Sequence, residues 1–422
     1  MARMNVQLEK IVKIREAKKL SQVAVSKLMG YAVSQICQIE RGERPFTGKS
    51  LERFKDVLGL QGVPISNDEV LAFELELHKW KDSILAGDID NATERQSFLK
   101  FCVQWSYEPS LSILYELYNT VYYRFINDME NFNKTLSLLS DKTNDFSQEH
   151  YYWYHSALGY HALVDGQYQK ALKEFFKAEL LDNSVKVTDE SLRINIAQCL
   201  THMGYTYIAI DYLEKAKHYT AEKFNNVYNT LIQLLLAVNF RNIDKIEPSL
   251  TLSKCGLRDK KEQGAFYLNM AESYNKIGDF DKAIEHVDKA LDYYKNNESE
   301  HAYVLYRKAN ILASIGRTDE SHMYLSEGLR IFPSDDTRCG LLLNTLKHSM
   351  QLHDAESVRY VMKTAVPKLE ARGLYLEAME HYEKLSKHYE GISTYKRSLV
   401  LTKRAFEIHQ KLTKGVLTVT PS

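Results

Sequence analysis

The sequence is short of chain breakers and of every mark of a membrane or secreted protein. Its 422 residues include only 7 prolines and 18 glycines. So few breakers over so long a chain predict a mostly helical protein. Five cysteines, Cys37, Cys102, Cys199, Cys255 and Cys339, lie far apart with no CxxC pair. An odd, scattered set argues against a disulfide framework, so buried, reduced thiols in a cytoplasmic protein are expected. The longest strongly apolar run, 231–238, falls far short of the ~20 residues that a membrane span needs. The N-terminus is amphipathic and charged, unlike a signal peptide. There is no GxSxG, HExxH, Walker loop or GxGxxG, and the 14 histidines are scattered. Nothing therefore points to an enzyme, and no catalytic residue, metal ligand or cofactor is expected. Net charge is also zero, but it is unevenly spread.

Residues 1–62 hold twelve Lys or Arg against six Asp or Glu, a net +6 matched by −6 over the rest. A basic head on a mildly acidic body suggests that only the head meets a polyanion. Apolar residues at Leu8, Ile11, Ile14, at Val25, Leu28, at Ile36, Ile39 and at Leu51, Phe54, Leu58 follow helical spacing. Ser21 stands as an N-cap before Gln22. Gly30 stands where a tight turn needs positive φ. A second short helix then runs from about Val33 to Glu40, which makes two short helices joined by a Gly-containing turn.

Arg15, Leu20-Ser21-Gln22, Gly30, Ile36, Ile39-Glu40 and Gly42 resemble the phage-repressor (XRE-type) helix-turn-helix over residues 5–60. Two positions depart from it: Ala32 replaces the usual Ser or Thr cap, and Ser26 replaces the usual Ala. The resemblance implies that the second helix enters the major groove of double-stranded DNA. Val33, Ser34 and Gln38 then share the outward face, with Gln35 beside it; a Gln amide suits adenine bidentately. Gln22, at the N-terminus of the preceding helix, would hold a phosphate. The alternative is that Gln35 and Gln38 are only solvated surface. Arg15 and Glu40 are expected to form a structural ion pair rather than DNA contacts.

After a linker over 63–67, helical periodicity is continuous from 68 to about 412, leaving a tail over 413–422. Four stretches share one pattern: GQYQKALKEFFKA from Gly166, GYTYIAIDYLEKA from Gly204, GDFDKAIEHVDKA from Gly278 and GRTDESHMYLSEG from Gly316. They are spaced by 38, 74 and 38 residues, so 74 spans two periods with a degenerate unit turning near Arg241. Weaker copies turn near Gly87, Asp128, His353 and Gly391, giving nine units. Five residues after each clear turn stands Ala171, Ala209, Ala283 or Ser321; twelve after stands Ala178, Ala216, Ala290 or Gly328. Small residues there let helices press close. The pattern resembles the tetratricopeptide repeat. The expected fold is all-α, with the helix-turn-helix followed by a right-handed superhelix whose concave face is lined by the first helix of each unit.

Counting the turn residue as position fifteen, positions 2, 5, 6, 9, 12 and 13 should face that groove. Asn195, Asn269 and Asn344 hold position 6, Asn310 position 9, Asn275 position 12 and Asn239 position 13. Asn is a poor helix former, so its recurrence there asks for a reason. An amide that donates and accepts together can grip a peptide backbone; solvated asparagines are the alternative. Arg307 could pair with a peptide carboxylate, with Tyr303 and Tyr306 packing an apolar side chain. The two-part build resembles the RRNPP quorum-sensing receptors (Rap, Rgg, NprR, PlcR, PrgX), with an NprR-like architecture. That resemblance implies a cytoplasmic transcriptional regulator controlled by a short imported signalling peptide and working as a dimer or larger. A protein-inhibitor role against a response regulator or phosphotransferase stays open, as does a peptide-independent repressor.

Overall fold

The computed structural model describes residues 6–185, 190–222, 228–257 and 262–414. They form helices and no strand. The expected tail lies almost wholly outside them. None of the described helices is long and apolar enough to cross a membrane. The chain packs as two compact units, residues 1–157 and 158–422.

The first unit opens with a four-helix head: α1 (Val6–Ala17), α2 (Gln22–Met29), α3 (Val33–Glu40) and α4 (Gly48–Leu58). The apolar spacing does build its core, since Ile11, Ile14, Val25, Ile36 and Phe54 are fully buried. Leu28, assigned to that stripe, is instead exposed. Ser21 Oγ accepts from the Ala24 N–H at 3.1 Å, and Gly30 closes α2 at φ +67°. The buried Ser26 hydroxyl is satisfied by the Val23 carbonyl at 2.9 Å, so that departure from the motif costs little.

The head is also tied to the rest of this unit. Lys10 Nζ donates to the Ile65 carbonyl at 3.2 Å and pairs with Glu108. Lys18 Nζ donates to the Leu58 carbonyl at 2.6 Å and lies 4.7 Å over the Trp105 ring. Lys55 pairs with Glu69 at 2.5 Å. Burial would raise the Glu69 carboxyl, but Lys55 and the N–H groups of Ser66 and Ile65 hold it down to about 2. Three of the head's cations thus face inward, away from any polyanion.

Nine helix pairs come next among the described residues. They are α5 (Asn67–Leu85) with α6 (Ile89–Ser106), α7 (Pro109–Phe125) with α8 (Met129–Ser140), and α9 (Gln148–Val164) with α10 (Tyr168–Val185). Beyond these lie α11 (Glu190–Met203) with α12 (Thr206–Glu222), α13 (Asn229–Asn242) with α14 (Ile246–Gly256), and α15 (Gln263–Lys276) with α16 (Phe280–Tyr293). Then α17 (Glu298–Ser314) pairs with α18 (Thr318–Ile331), and α19 (Arg338–Ser349) with α20 (Ala355–Tyr360), which continues through a π turn into α21 (Val366–Arg372). The last pair is α22 (Tyr375–Gly391) and α23 (Tyr395–Thr413).

Gly87, Gly166, Gly204, Gly278 and Gly316 all take positive φ at the turns, as the repeat spacing requires. Ala171, Ala209, Ala283, Ser321, Ala178, Ala216 and Ala290 are all fully buried. Three turns differ from expectation, the first only by one residue, at Asn127 (φ 56°) rather than Asp128. The degenerate unit turns at Asp244 (φ 62°) rather than near Arg241, and the last at Ser393 (φ 58°) rather than Gly391. A left-handed residue that is not glycine left no sequence mark. Of the thiols, Cys102, Cys199 and Cys339 are buried, but Cys255 is exposed.

Close helix pairing gives a first test. A Cβ on Gly159 would stand 2.5 Å from the Phe175 ring, which is itself fully buried. Gly159→Ala should therefore destabilise the second unit by ~1–3 kcal/mol through overpacking. Thermal unfolding by circular dichroism checks this. An unchanged midpoint would mean that the ring moves aside freely.

Candidate functional site

On α3 the side chains divide as the motif expects. Ile36 and Ile39 are buried, while Val33, Ser34 and Gln38 are exposed. Arg15 holds α1 to α3 by gripping Glu40 with two bonds, Nε to Oε1 at 2.6 Å and Nη2 to Oε2 at 2.9 Å. Two glutamines behave differently from expectation. Gln22 Nε2 donates to Glu40 Oε2 at 2.8 Å, so only its second amide hydrogen is left for a phosphate. Gln35 Oε1 accepts from the Ala32 N–H at 3.1 Å. Ala32 has no side-chain cap to offer, and Gln35 caps the helix from its first turn. It cannot read adenine bidentately while doing so.

The second unit brings the first helices of its repeats together through a buried charge network. Arg241 of α13 donates to Asn269 Oδ1 of α15 at 2.5 Å and pairs with Glu272 Oε2 at 2.5 Å. Glu272 Oε1 lies 2.8 Å from Arg307 Nε of α17. That N–H points instead at the Tyr303 hydroxyl, which accepts from Nε at 2.9 Å and Nη2 at 2.6 Å. Glu377 of α22 faces Arg307 Nη2 at 3.5 Å. Arg338 of α19 lies 4.3 Å over the Tyr303 ring and 5.6 Å from that of Tyr168 on α10. His202 of α11 stacks on Tyr168, ring centroids 4.5 Å apart.

Electrostatics follow from that packing. Burial would raise the Glu272 carboxyl, but Arg241, Arg307 and Arg338 together hold it below its ordinary range. Burial works against the Arg307 charge, yet Glu272, Tyr303, Tyr306 and Glu377 keep it protonated. Burial, with Arg338 and Arg307 nearby, pushes His202 well below the usual imidazole range. The first and last repeats of this unit also touch: Gln169 Nε2 donates to the Tyr375 hydroxyl at 3.1 Å, and Arg372 Nη1 to the Asp165 carbonyl at 3.0 Å.

Against this map the six groove asparagines separate. Asn269 has both ends engaged, its Nδ2 donating to Ser249 at 3.0 Å and Ser253 at 2.9 Å while Oδ1 takes Arg241. It is a structural tie, not a free grip. Asn344 donates to the Pro333 carbonyl at 3.1 Å and Asp335 at 2.9 Å, so it fastens the loop before α19. Asn239, fully buried, donates to Thr201 and to the Leu235 carbonyl. With the turn at Asp244 it stands five residues before the left-handed residue, the level of the buried Cys199, Ser273 and Ile311. The misplaced turn put it in the groove by mistake. Asn195 Nδ2 and Asn275 Oδ1 remain buried without a hydrogen-bond partner, and Asn310 is half-buried.

Arg307 is already neutralised by two carboxylates, and Tyr306 is 1% exposed beneath it. Neither is available as expected. The residues missed were Glu272, Arg338 and Glu377. Glu272 stands at position 9 and was legible; Arg338 and Glu377 lie in the first turn of α19 and α22, ahead of the positions counted.

Comparison with known proteins agrees with this two-part build. Residues 11–62 match the helix-turn-helix family model and residues 262–334 the tetratricopeptide repeat model. Two solved structures are similar over nearly their whole length. NprR in complex with its cognate peptide NprX superposes with a TM-score of 0.70 at 17% identity, covering 80% of this chain and 99% of that one. A Rap protein complexed with competence and sporulation factor gives 0.69 at 15% identity, covering 81% and 99%. The chain shares the fold of these two proteins. At these identities the likeness establishes the fold alone. One curated relative, response regulator aspartate phosphatase E of Bacillus subtilis (strain 168), is 22% identical over 230 residues, 52% of this chain and 59% of its own length. The match therefore spans about three-fifths of that relative's length.

Proposed function

We propose that the chain is a transcriptional regulator controlled by a short signalling peptide. The head binds double-stranded DNA through α3, and the inner face of the second unit binds the peptide, which changes DNA binding. One observation carries the peptide reading. The inner face holds buried polar atoms of both kinds without partners: donors on Asn195 and Arg338, acceptors on Asn275 and Glu377. Unpaired buried groups are costly, and an extended peptide backbone offers both complements. The DNA reading rests on the exposed Val33, Ser34 and Gln38 together with exposed Lys27, Arg41, Arg44 and Lys49 in the basic head. A homo-oligomer fits the exposed apolar stripe Ile392, Tyr395, Leu399 and Phe406 at the C-terminal helix. Light scattering showing only a 48.9 kDa species, with and without DNA, would count against it.

The DNA test uses duplexes selected from a random pool by the full-length chain. Gln38→Ala should lose ~1–3 kcal/mol on the selected site and little on random duplex, measured by fluorescence anisotropy. No selectable site, or an unchanged affinity, would remove α3 as the reading helix. The phosphatase name of the curated relative favours a second reading, in which the chain binds a response regulator. Accelerated loss of phosphate from such a regulator on adding the chain would support that instead.

A further inference from the structure

Arg338 is the surplus cation of the inner face. Glu272 lies between Arg241 and Arg307, at 2.5 and 2.8 Å, and Glu377 faces Arg307 at 3.5 Å. Glu380 is taken by Lys384 at 2.6 Å. Two carboxylates therefore serve three guanidiniums, and none makes an ion pair with Arg338 among the described residues. Two rings lie against it, Tyr303 at 4.3 Å and Tyr168 at 5.6 Å. A ring stabilises a cation through its face, but it leaves the in-plane N–H groups of a guanidinium unpaired. Those unpaired atoms are Nε and Nη2, both buried.

The identity of the two atoms decides what they fit. Nε and Nη2 share one edge of the guanidinium, the edge that takes both oxygens of a carboxylate in two parallel bonds. Arg15 uses that same edge on Glu40, at 2.6 and 2.9 Å. Resting on the peptide-receptor reading above, we propose that this edge of Arg338 seats a carboxylate of the peptide, so the ligand is an anionic peptide. The carboxylate is either the peptide's C-terminus or an Asp or Glu side chain. Seating it evens the charge of the network and satisfies both buried donors at once. In the ligand-free protein, against the cost of burial, the tyrosines and the field of Glu377 favour the charge itself, but its two buried N–H groups have no acceptor, and leaving buried donors unpaired is destabilising.

The test uses the full chain and a random heptapeptide library made in two forms, free acid and C-terminal amide. Peptides retained through gel filtration are read by mass spectrometry. Wild type should retain the free-acid form at least ~10-fold over the amide if the C-terminus is seated, a tenfold ratio being one bidentate contact's worth. If a side chain is seated, Asp or Glu should be enriched at one position in both forms. Arg338→Met should abolish that preference, and Arg338→Lys should keep part of it. The ligand-free Arg338→Met protein should melt no lower than wild type. Retention of peptides with no preference for a carboxylate, or a preference that survives Arg338→Met, overturns this proposal alone. So does a clear drop in melting temperature, which would make Arg338 a structural prop. Retention of no peptide in either form overturns the peptide reading itself and this proposal with it.

Discussion

Glu40→Ala is expected to unfold the helix-turn-helix head and abolish DNA binding, while the repeats of the second unit stay folded. Arg15 and Glu40 are each only 8% exposed and are joined by two bonds of 2.6 and 2.9 Å. Arg15 Nη1 also donates to the Leu20 carbonyl at 2.8 Å, fixing the turn between α1 and α2. Removing Glu40 leaves the buried guanidinium only the exposed Glu16 carboxylate, 3.2 Å from Nη2, and strips the Gln22 amide of its acceptor. Breaking one partner of a buried pair costs ~3–5 kcal/mol. A core as small as this head rarely supplies more than that. Arg15→Met with Glu40→Leu should restore most of the loss, since an apolar pair of similar volume is often neutral or better. Trp80, Trp105 and Trp153 all lie in the first unit, and Trp105 touches Lys18 of the head. Tryptophan fluorescence during urea unfolding therefore tracks the relevant unit. A Glu40→Ala protein with wild-type stability would show that the pair contributes nothing net.

The fold was legible because it repeats. A turn glycine every 38 residues and buried small residues at fixed offsets are constraints that one chain displays many times over. Where the constraint could be met by another residue, as at Asp244 and Ser393, the reading slipped by two or three positions. That slip carried Asn239 from the core into the supposed groove. The site was less legible for a different reason. An asparagine at an inward position says nothing about who else bonds to it. Ser249, Ser253 and Arg241 engage Asn269, and two groups of the loop before α19 engage Asn344. Partnership across repeats is set by packing, and single-sequence periodicity does not contain it. The same holds for Gln22 and Gln35, whose amides serve Glu40 and a helix end.

Acid should weaken the second unit through His381. This imidazole is 1% exposed on α22, its Nδ1 bonded to the Ser349 hydroxyl at 2.8 Å and its Nε2 without a partner. Burial, with Lys384 adding to it and Glu380 opposing, pushes its pKa from 6.5 down to about 4. The unfolded chain takes up the proton near 6.5, while the native state resists it until about 4. Stability contributed by the neutral ring is thus fully present above pH 6.5 and drains away as pH falls toward 4. At about 1.4 kcal/mol per unit, the loss reaches ~3 kcal/mol by pH 4. His202, also pushed well below its ordinary value by burial, Arg338 and Arg307, acts in the same direction. His381→Gln keeps a neutral polar group but cannot titrate in this window. Urea unfolding at pH 7, 5.5 and 4, followed by circular dichroism, separates the two proteins. Relative to its own value at pH 7, the variant should retain ~3 kcal/mol more than wild type at pH 4. Parallel curves would mean that the imidazole titrates normally and is less buried in solution than its packing implies.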